Sequence, residues 1–223
     1  MSAPLSSTRA RVSSATKLYS YIVTHDTGFS PNPFWGFITL ANCKPSIRRN
    51  AKVGDWIIGL SPKAKGNKLI YAMQVEEIVP YDRYYRDSRF AVKIPDYTKG
   101  KVVCKCGDNI YKPLPNGGFR QLQSIHSLKQ GIRENPKTKA HDLGGKNVLI
   151  SKNYYYFGLR AVDLPETLNG LKVGRGHKSR FSSDIISAFT KFISRYTAGV
   201  KARPTRWSPD DDSWKMIRAC GSS

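Results

Sequence analysis

Acidic residues are scarce in this sequence. Asp and Glu together number 16 against 37 Lys and Arg, which gives a formal net charge of +21 and a pI near 10.0. Charge repulsion of this size opposes compaction, and the phosphates of a polyanion relieve it, so a nucleic-acid partner is the simplest explanation. The excess is spread along the chain, because residues 44–68 carry seven basic residues against one acid and residues 172–206 carry nine against one. The alternative is that the charge serves solubility alone.

Long apolar runs and paired cysteines are also missing. No apolar stretch is long enough to span a bilayer, so we expect no membrane partner. The four cysteines at positions 43, 104, 106 and 220 are too few for a disulfide framework, and we expect reduced thiols in the cytoplasm. No second cysteine or histidine pair stands at metal spacing beside Cys104 and Cys106, so we predict no metal and no other cofactor.

The length of 223 residues suits a single globular domain. We expect a flexible leader over residues 1–16, one domain over residues 17–200 and a tail over residues 201–223 that is ordered only by docking. The sequence contains no internal repeat or heptad array. We expect a monomer.

Alternating apolar and β-branched residues predict strands at 17–26, 56–60, 68–79, 146–151 and 154–158. Prolines in a first turn predict short helices at 42–49 and 80–87, and an amphipathic pattern capped by Ser182 or Ser183 predicts a longer helix at 182–198. Residues 124–145 are mostly polar and are expected to form a loop. The predicted fold class is α+β, a small and mostly antiparallel β-barrel or strongly curved sheet with flanking helices.

The loop over residues 24–36 groups titratable, amide and aromatic side chains directly after the alternating apolar run of residues 18–23. Its two prolines cannot continue the hydrogen-bond ladder of that strand, so the loop should sit at the mouth of the sheet. A rigid sheet can hold such a loop as a ligand site. The alternative is an ordinary surface loop held in place by its aromatic residues.

Several motifs occur in the order found in a known family. These motifs are Asp26-Thr27-Gly28-Phe29-Ser30-Pro31-Asn32-Pro33-Phe34, Cys43-Lys44-Pro45, Val53-Gly54-Asp55-Trp56, Gly107-Asp108-Asn109-Ile110-Tyr111, His126-Ser127 and Gly176-His177-Lys178. Through them, residues 17–199 resemble the second nucleotide modification associated domain. The resemblance implies modified bases in DNA, in phage and bacterial systems, and leaves the reaction open. The hairpin around Gly54-Asp55-Trp56 is also similar to the PUA-like, EVE and YTH barrels, which seat a flipped modified base in an aromatic pocket.

A modified base must leave the stack to be inspected, which requires stacking rings, polar groups for the base edge and basic residues for the flanking phosphates. We assign the base pocket to Asn32, Phe34, Trp35, Trp56, Ser61, Tyr71, Asn109 and Tyr111. We assign the phosphate contacts to Lys44, Arg48, Arg49, Lys63 and Lys178. The alternatives are that each aromatic belongs to the core and that the basic helix is simply solvated.

Hydrolysis of an N-glycosidic bond needs a carboxylate that stabilises the sugar cation and orients water, and an acid that protonates the leaving base. Asp26 is the first candidate for the carboxylate and Asp108 the second, while His126 or His177 could serve the leaving base. The alternative for Asp26 is a turn acceptor that binds the amide of Gly28. Each histidine taken alone is more often structural than catalytic.

The main hypothesis is a DNA-binding protein that flips a hypermodified base, such as a modified cytosine in phage DNA, and excises it as a DNA glycosylase in anti-phage defence. The alternative is a non-catalytic reader of modified bases in DNA or RNA. A transferase acting on a hydroxymethylated pyrimidine ranks lower, because the sequence has no glycine loop of the kind that cradles phosphates. The density of polar residues at the strand ends favours the enzyme.

Overall fold

The computed structural model describes residues 15–215, in which strands and helices are mixed along the chain. The strands are β1 (Leu18–Ile22), β2 (Ile38–Leu40), β3 (Trp56–Leu60), β4 (Leu69–Gln74), β5 (Glu77–Pro80), β6 (Tyr111–Pro113), β7 (Phe119–Gln121), β8 (Asn147–Ser151), β9 (Tyr154–Tyr156), β10 (His177–Lys178) and β11 (Gly199–Val200). The helices are α1 (Pro45–Asn50), α2 (Tyr81–Arg86), α3 (Val102–Lys105), α4 (Pro136–Leu143) and α5 (Ser183–Ile193). None of the helices in this part of the chain is long and apolar enough to cross a membrane.

The largest sheet has six strands in the order β10-β1-β3-β4-β9-β11. β3 and β4 form the antiparallel hairpin that the sequence predicted, whereas β1 runs parallel to β3. Successive side chains of a strand point to opposite faces, so Leu18 and Trp56 pack on the side of α5 while Tyr19 and Ile57 pack on the side of α1 and β8. Both faces are therefore covered, which explains why every residue of β3 is buried.

β5 belongs to a second sheet of three strands in the order β2-β8-β5. The apolar pattern predicted one strand over residues 68–79, but the chain turns after Gln74 and changes sheet. The backbone N–H of Val75 donates to the carbonyl of Asp55 at 2.8 Å, and the Glu76 carboxylate accepts hydrogen bonds from the backbone of the turn between β8 and β9. Val75 and Glu76, two adjacent residues of the turn, thus link the large sheet to the three-stranded sheet.

The large sheet is open in the described residues, because β10 and β11 lie at its opposite edges. The α+β fold class therefore agrees with the structure, and the mostly antiparallel pairing does so with two parallel exceptions, β1 with β3 and β9 with β11. A closed, PUA-like barrel is not confirmed.

The helix α4 was not predicted, because residues 124–145 were expected to be loop. Asn135 caps this helix by accepting hydrogen bonds from the backbone N–H groups of Lys137 and Thr138, and Pro136 occupies its first turn. The single side chain that α4 buries is the carboxylate of Asp142. A helix that buries a polar residue lacks the apolar stripe from which amphipathic helices are recognised.

The last described residues pack against the loop that follows β1. The backbone N–H of Thr205 donates to Asp26 Oδ2 at 2.9 Å, and Trp207 Nε1 donates to the carbonyl of Thr27 at 2.8 Å. The centroid of the Trp207 ring also lies 5.5 Å from the centroid of the Phe34 ring. Residues 201–215, which were expected to belong to a tail, thereby cover this loop.

The cysteines depart from the expectation of four reduced thiols. Cys104 is disulfide-bonded, whereas Cys43 and Cys106 are free thiols. Cys106 is buried and Cys43 is half-buried. Cys43 is thus the more accessible of these two thiols.

Candidate functional site

A cavity of about 710 Å³, hereafter the central pocket, lies between the end of β1, the loop that follows it, the start of α1 and β10. This volume is in the range that holds a small ligand. Tyr21 and Phe29 supply aromatic rings to its wall. All four histidines of the chain line it, although they come from four separate segments: His25, His126, His141 and His177.

A chain of hydrogen bonds joins a thiol, an imidazole and a carboxylate at the central pocket. Cys43 Sγ lies 3.6 Å from His126 Nε2, and His126 Nδ1 lies 2.7 Å from Asp142 Oδ2. We call these three residues the Cys43–His126–Asp142 cluster. Asp142 is fully buried and its other neighbours hold it in place, since Tyr111 Oη donates to Oδ2 at 2.8 Å and the Cys43 backbone N–H donates to Oδ1 at 2.7 Å. A nucleophile beside a base that is oriented by a third group is the arrangement used in nucleophilic catalysis.

Arg48 on α1 fixes the two ends of this cluster. Its Nε donates to the carbonyl of Cys43 at 2.7 Å, and its Nη2 donates to the carbonyl of Asp142. Its Nη1 donates to Tyr81 Oη. A Cβ at Gly145 would lie 2.2 Å from the guanidinium carbon, so this glycine leaves the space that the arginine occupies. Arg48, assigned to phosphates from the sequence, is fully buried and binds the protein itself.

The backbone is strained at the nucleophile candidate. Cys43 has φ 58° and Lys44 has φ 42°, so two successive residues with side chains adopt the left-handed conformation that normally favours glycine. Such strain persists only where surrounding contacts hold it, and it concentrates at functional sites. Asp142 and Arg48 provide those contacts by binding the N–H and the carbonyl of Cys43.

The electrostatics of the cluster favour a charged pair. Burial lowers the pKa of His126, but the hydrogen bonds with Asp142 and Cys43 outweigh it and raise this pKa to about 10. Burial alone would raise the pKa of Asp142, whereas the hydrogen bond and charge of His126 hold it below its usual value. The contacts of His126 therefore favour an imidazolium beside the sulfur atom of Cys43. Lys44 also lines the pocket, with Nζ 4.6 Å from the centre of the Tyr21 ring, and burial lowers its pKa.

The Cys43–His126–Asp142 cluster is better arranged for proton transfer than for binding a metal ion. One ligand-type atom from each of Cys43, His126 and Asp142 lies within 4.8 Å of the others. Both carboxylate oxygens of Asp142 already accept hydrogen bonds, and one of them binds the imidazole nitrogen that faces away from the thiol. The cluster thus offers a metal two free donor atoms, whereas zinc sites use three or four protein ligands.

The two carboxylates assigned to catalysis from the sequence lie outside the lining of the central pocket. Asp26 is buried, accepts hydrogen bonds from Tyr156 Oη and from the backbone of Thr205, and its pKa is raised by burial. Asp108 is buried under the second sheet, where Thr39 Oγ1 and Tyr84 Oη each donate to it at 2.6 Å. Both carboxylates are therefore enclosed by their own hydrogen-bond donors. Of the two histidines assigned with them, His126 belongs to the cluster and His177 is exposed on β10.

The residues assigned to a base pocket do not line the central pocket either. Seven of the eight are buried and Trp35 is half-buried. They support the fold in different places, as the contacts of the eight residues show: Asn32 binds Lys93, Phe34 packs on Trp207, Trp35 lies beneath Lys93, Trp56 packs on Phe189, Ser61 binds the loop after β3, Tyr71 binds Tyr21, Asn109 binds Phe90 and Tyr111 binds Asp142. Tyr71 and Tyr111 thus stand directly behind the pocket wall.

The basic residues assigned to phosphates fall into three groups. Lys44 lines the central pocket, and Lys178 follows a residue of its lining. Arg49 and Lys63 are exposed, although Arg49 Nη1 also donates to the carbonyl of Gly144. Arg48 is internal.

The sequence did not single out Cys43 as a site candidate, and it placed Asp142 in a loop. The members of the cluster are separated by 83 and 16 residues along the chain, and no local spacing connects them. The usable signals were that Cys43 and His126 each stand in a motif that resembles the family.

Comparisons with known proteins agree with this resemblance. No curated protein and no solved structure matches the chain. The family model described as nucleotide modification associated domain 2 matches residues 15–211, which include the whole central pocket and the Cys43–His126–Asp142 cluster. The chain therefore belongs to the nucleotide modification associated domain 2 family, which associates it with modified nucleotides.

Proposed function

We propose that the protein binds a nucleic acid that carries a modified base, receives the flipped base in the central pocket and acts on it chemically. The observation that carries the proposal is the pocket itself, a cavity of about 710 Å³ with two aromatic rings and the Cys43–His126–Asp142 cluster in one chain of a modified-nucleotide family. A base taken out of the stack needs a pocket of this kind.

Basic residues around the pocket support the nucleic-acid part of the proposal. Arg175 and Lys178 flank two lining residues, Gly176 and His177. Arg206 Nη2 lies 3.1 Å from Nδ1 of His25, which also lines the pocket. All three basic residues are exposed. Positive charge on the rim of a pocket suits the phosphates on either side of a flipped nucleotide.

An exposed apolar side chain supports the base-flipping part. Ile125 is half exposed and also lines the pocket, next to His126. Proteins that unstack bases often insert such an apolar wedge between base steps. Ile125 could thus fill the gap that the flipped base leaves.

Binding to oligonucleotides tests the proposal. Duplexes and single strands of one sequence, carrying cytosine, hydroxymethylcytosine or glucosylated hydroxymethylcytosine, are titrated by fluorescence anisotropy at two salt concentrations. We expect one modified base to bind about tenfold more tightly than cytosine, which corresponds to about 1.4 kcal/mol. Ile125→Ser should reduce this preference, while the control Leu159→Ser, at a residue that is equally exposed but outside the pocket, should not. Equal affinity for all bases at both salt concentrations would contradict the proposal.

Base excision by a DNA glycosylase, in anti-phage defence, is a second candidate function. The observation that favours it is the His126–Asp142 pair, because a protonated imidazole can protonate a leaving base. Mass spectrometry of released bases, with alkali cleavage of the strand, distinguishes the candidates on the same oligonucleotides. Release of a free modified base would establish excision. Tight binding with neither release nor alteration of the base would leave a reader.

A further inference from the structure

The Cys43–His126–Asp142 cluster has the parts of a nucleophilic catalyst. We propose that Cys43 is the nucleophile of an acyl-transfer reaction, with His126 as the general acid and base and Asp142 as the residue that positions His126. The substrate class is a carbonyl group in ester or amide linkage. The inference rests on the proposed function only for the carrier of this group, a modified base, and the nucleophile can be tested without nucleic acid.

The first support for Cys43 as the nucleophile is its position in the pocket. Cys43 is half-buried in the lining of the pocket, and its Sγ lies 3.6 Å from an imidazole nitrogen. Its backbone is held on both sides, by Asp142 at the N–H and by Arg48 at the carbonyl. A nucleophile so fixed reacts without first having to be ordered.

The second support is the orientation of the imidazole. Asp142 binds Nδ1 of His126, which leaves Nε2 directed at the thiol, and Asp142 is itself held by Tyr111 Oη. This arrangement is that of the serine and cysteine hydrolases, in which an acid group fixes the tautomer of the base. Asp142 is fully buried, so it does not touch a substrate in the pocket.

The reaction balances with water alone. The thiolate of Cys43 attacks the carbonyl carbon, the bond from that carbon to the leaving oxygen or nitrogen breaks, and the leaving atom takes a proton from His126 Nε2. Water then attacks the thioester, gives a proton to His126 Nε2 and releases the acid, which restores the thiolate beside the imidazolium. Lys44, which lines the same pocket, can donate a hydrogen bond to the oxyanion.

Acetylation by 4-nitrophenyl acetate is the test. We expect the purified protein to release about one equivalent of 4-nitrophenolate in a burst. Peptide mass spectrometry should then find one acetyl group on the peptide that contains Cys43. Cys106 is the internal control, because it is a free but buried thiol and burial raises its pKa far above the usual range. This measurement uses the unaltered chain and does not depend on the folding of a variant.

Three variants assign the roles. Cys43→Ser should remove the burst, and His126→Gln should slow acetylation about 100-fold. Asp142→Asn should move the pH profile of acetylation as well as lower the rate, because the profile depends on the imidazole that Asp142 binds. A purely structural role for Asp142 would lower the rate equally at all pH values. Circular dichroism and the thermal midpoint check that each variant is folded.

Several outcomes would overturn the proposal. One is acetylation on lysines at equal rates in the unaltered chain and in Cys43→Ser. Another is about one equivalent of zinc retained by the unaltered chain and lost in Cys43→Ser, with no burst, which would make the cluster a metal site. The same experiments distinguish failure of this inference from failure of the proposed function. A burst at Cys43 without any preference for modified bases would support Cys43 as the nucleophile and contradict the nucleic-acid proposal.

Discussion

Two polar centres of this protein are built around a buried carboxylate, and they differ in access. Asp142 connects through His126, whose side chain is 18% exposed, to a thiol at the central pocket. Asp108 binds the hydroxyls of Thr39 and Tyr84, and both of these residues are buried. Burial of a carboxylate costs free energy in both places, but only Asp142 is connected to a cavity in which a ligand could meet the groups that it holds.

The buried polar groups around Asp108 hold a loop in place instead. Lys93 is fully buried near Asp108, and its Nζ donates to Asn32 Oδ1 at 2.5 Å and to the carbonyls of Phe34 and Phe37. These bonds fix the loop between β1 and β2.

The largest effect is expected for Asp108→Ala. The substitution leaves the buried hydroxyls of Thr39 and Tyr84 without their acceptor, and it removes the negative charge near the buried amine of Lys93. Removing one member of a buried charged pair typically costs about 3–5 kcal/mol. Urea unfolding should therefore show a lower free energy of unfolding by about that amount, and a smaller loss for Asp108→Asn, which keeps the shape and one acceptor. The folded fraction should still be acetylated at Cys43. Loss of acetylation in a folded Asp108→Asn would show that the two centres are coupled.

An intermediate effect is expected for Asp26→Asn. The amide oxygen can still accept from some of the donors around Asp26, which include Tyr156 Oη and the Thr205 backbone, so the free energy of unfolding should fall by about 1–3 kcal/mol. Acetylation of Cys43 and any release of a modified base should continue at the unaltered rate. The measurement pairs urea unfolding with mass spectrometry of the products. A folded Asp26→Asn that binds DNA but releases no base, where the unaltered chain does, would restore Asp26 as the catalytic carboxylate.

Much of the fold followed from local patterns. The hairpin of β3 and β4, the strands β8 and β9, and the proline-initiated helices α1 and α2 were all predicted, because each has its own apolar pattern or its own proline. The change of sheet after Gln74 was missed, because the residues on both sides have the pattern of one strand. Long-range hydrogen bonds, such as that from Val75 to Asp55, mark the corner.

Less of the candidate site could be predicted. His126, His177 and Lys44 were chosen from motifs, and all three line the central pocket. The assigned aromatic residues are large and near glycines, yet no local pattern distinguishes a ring that lines a pocket from one that packs in the core. Asp142 was read as part of a loop because α4 buries a carboxylate where an amphipathic helix would bury apolar residues. The cluster thus depended on tertiary contacts that a single sequence does not display.

The centre around Asp142 also predicts a pH dependence of stability. The pKa of His126 is raised to about 10 from about 6.5, so its contribution is fully present below pH 6.5 and is lost as the pH rises towards 10. Burial lowers the pKa of Lys93 to about 8 from about 10.5, so this residue acts in the opposite direction and stability rises between pH 8 and 10.5. Urea unfolding of His126→Gln should therefore lack the loss between pH 6.5 and 10. The same pH profile in His126→Gln as in the unaltered chain would show that the imidazolium is not held by Asp142.

The smallest effect is expected for single exposed lysines at the rim of the pocket. Lys178 lies on β10 beside the pocket, whereas Lys191 lies on α5, which packs on the other face of the large sheet. If a phosphate contacts Lys178, Lys178→Ala should weaken binding to all oligonucleotides nearly equally and reduce the slope of log affinity against log salt by about 1. Lys191→Ala has the same change of charge and is the matched control, for which the slope should stay unchanged. Equal slopes for both variants would mean that the nucleic acid approaches the protein by another face, and the central pocket would then lose its support as the place of the base.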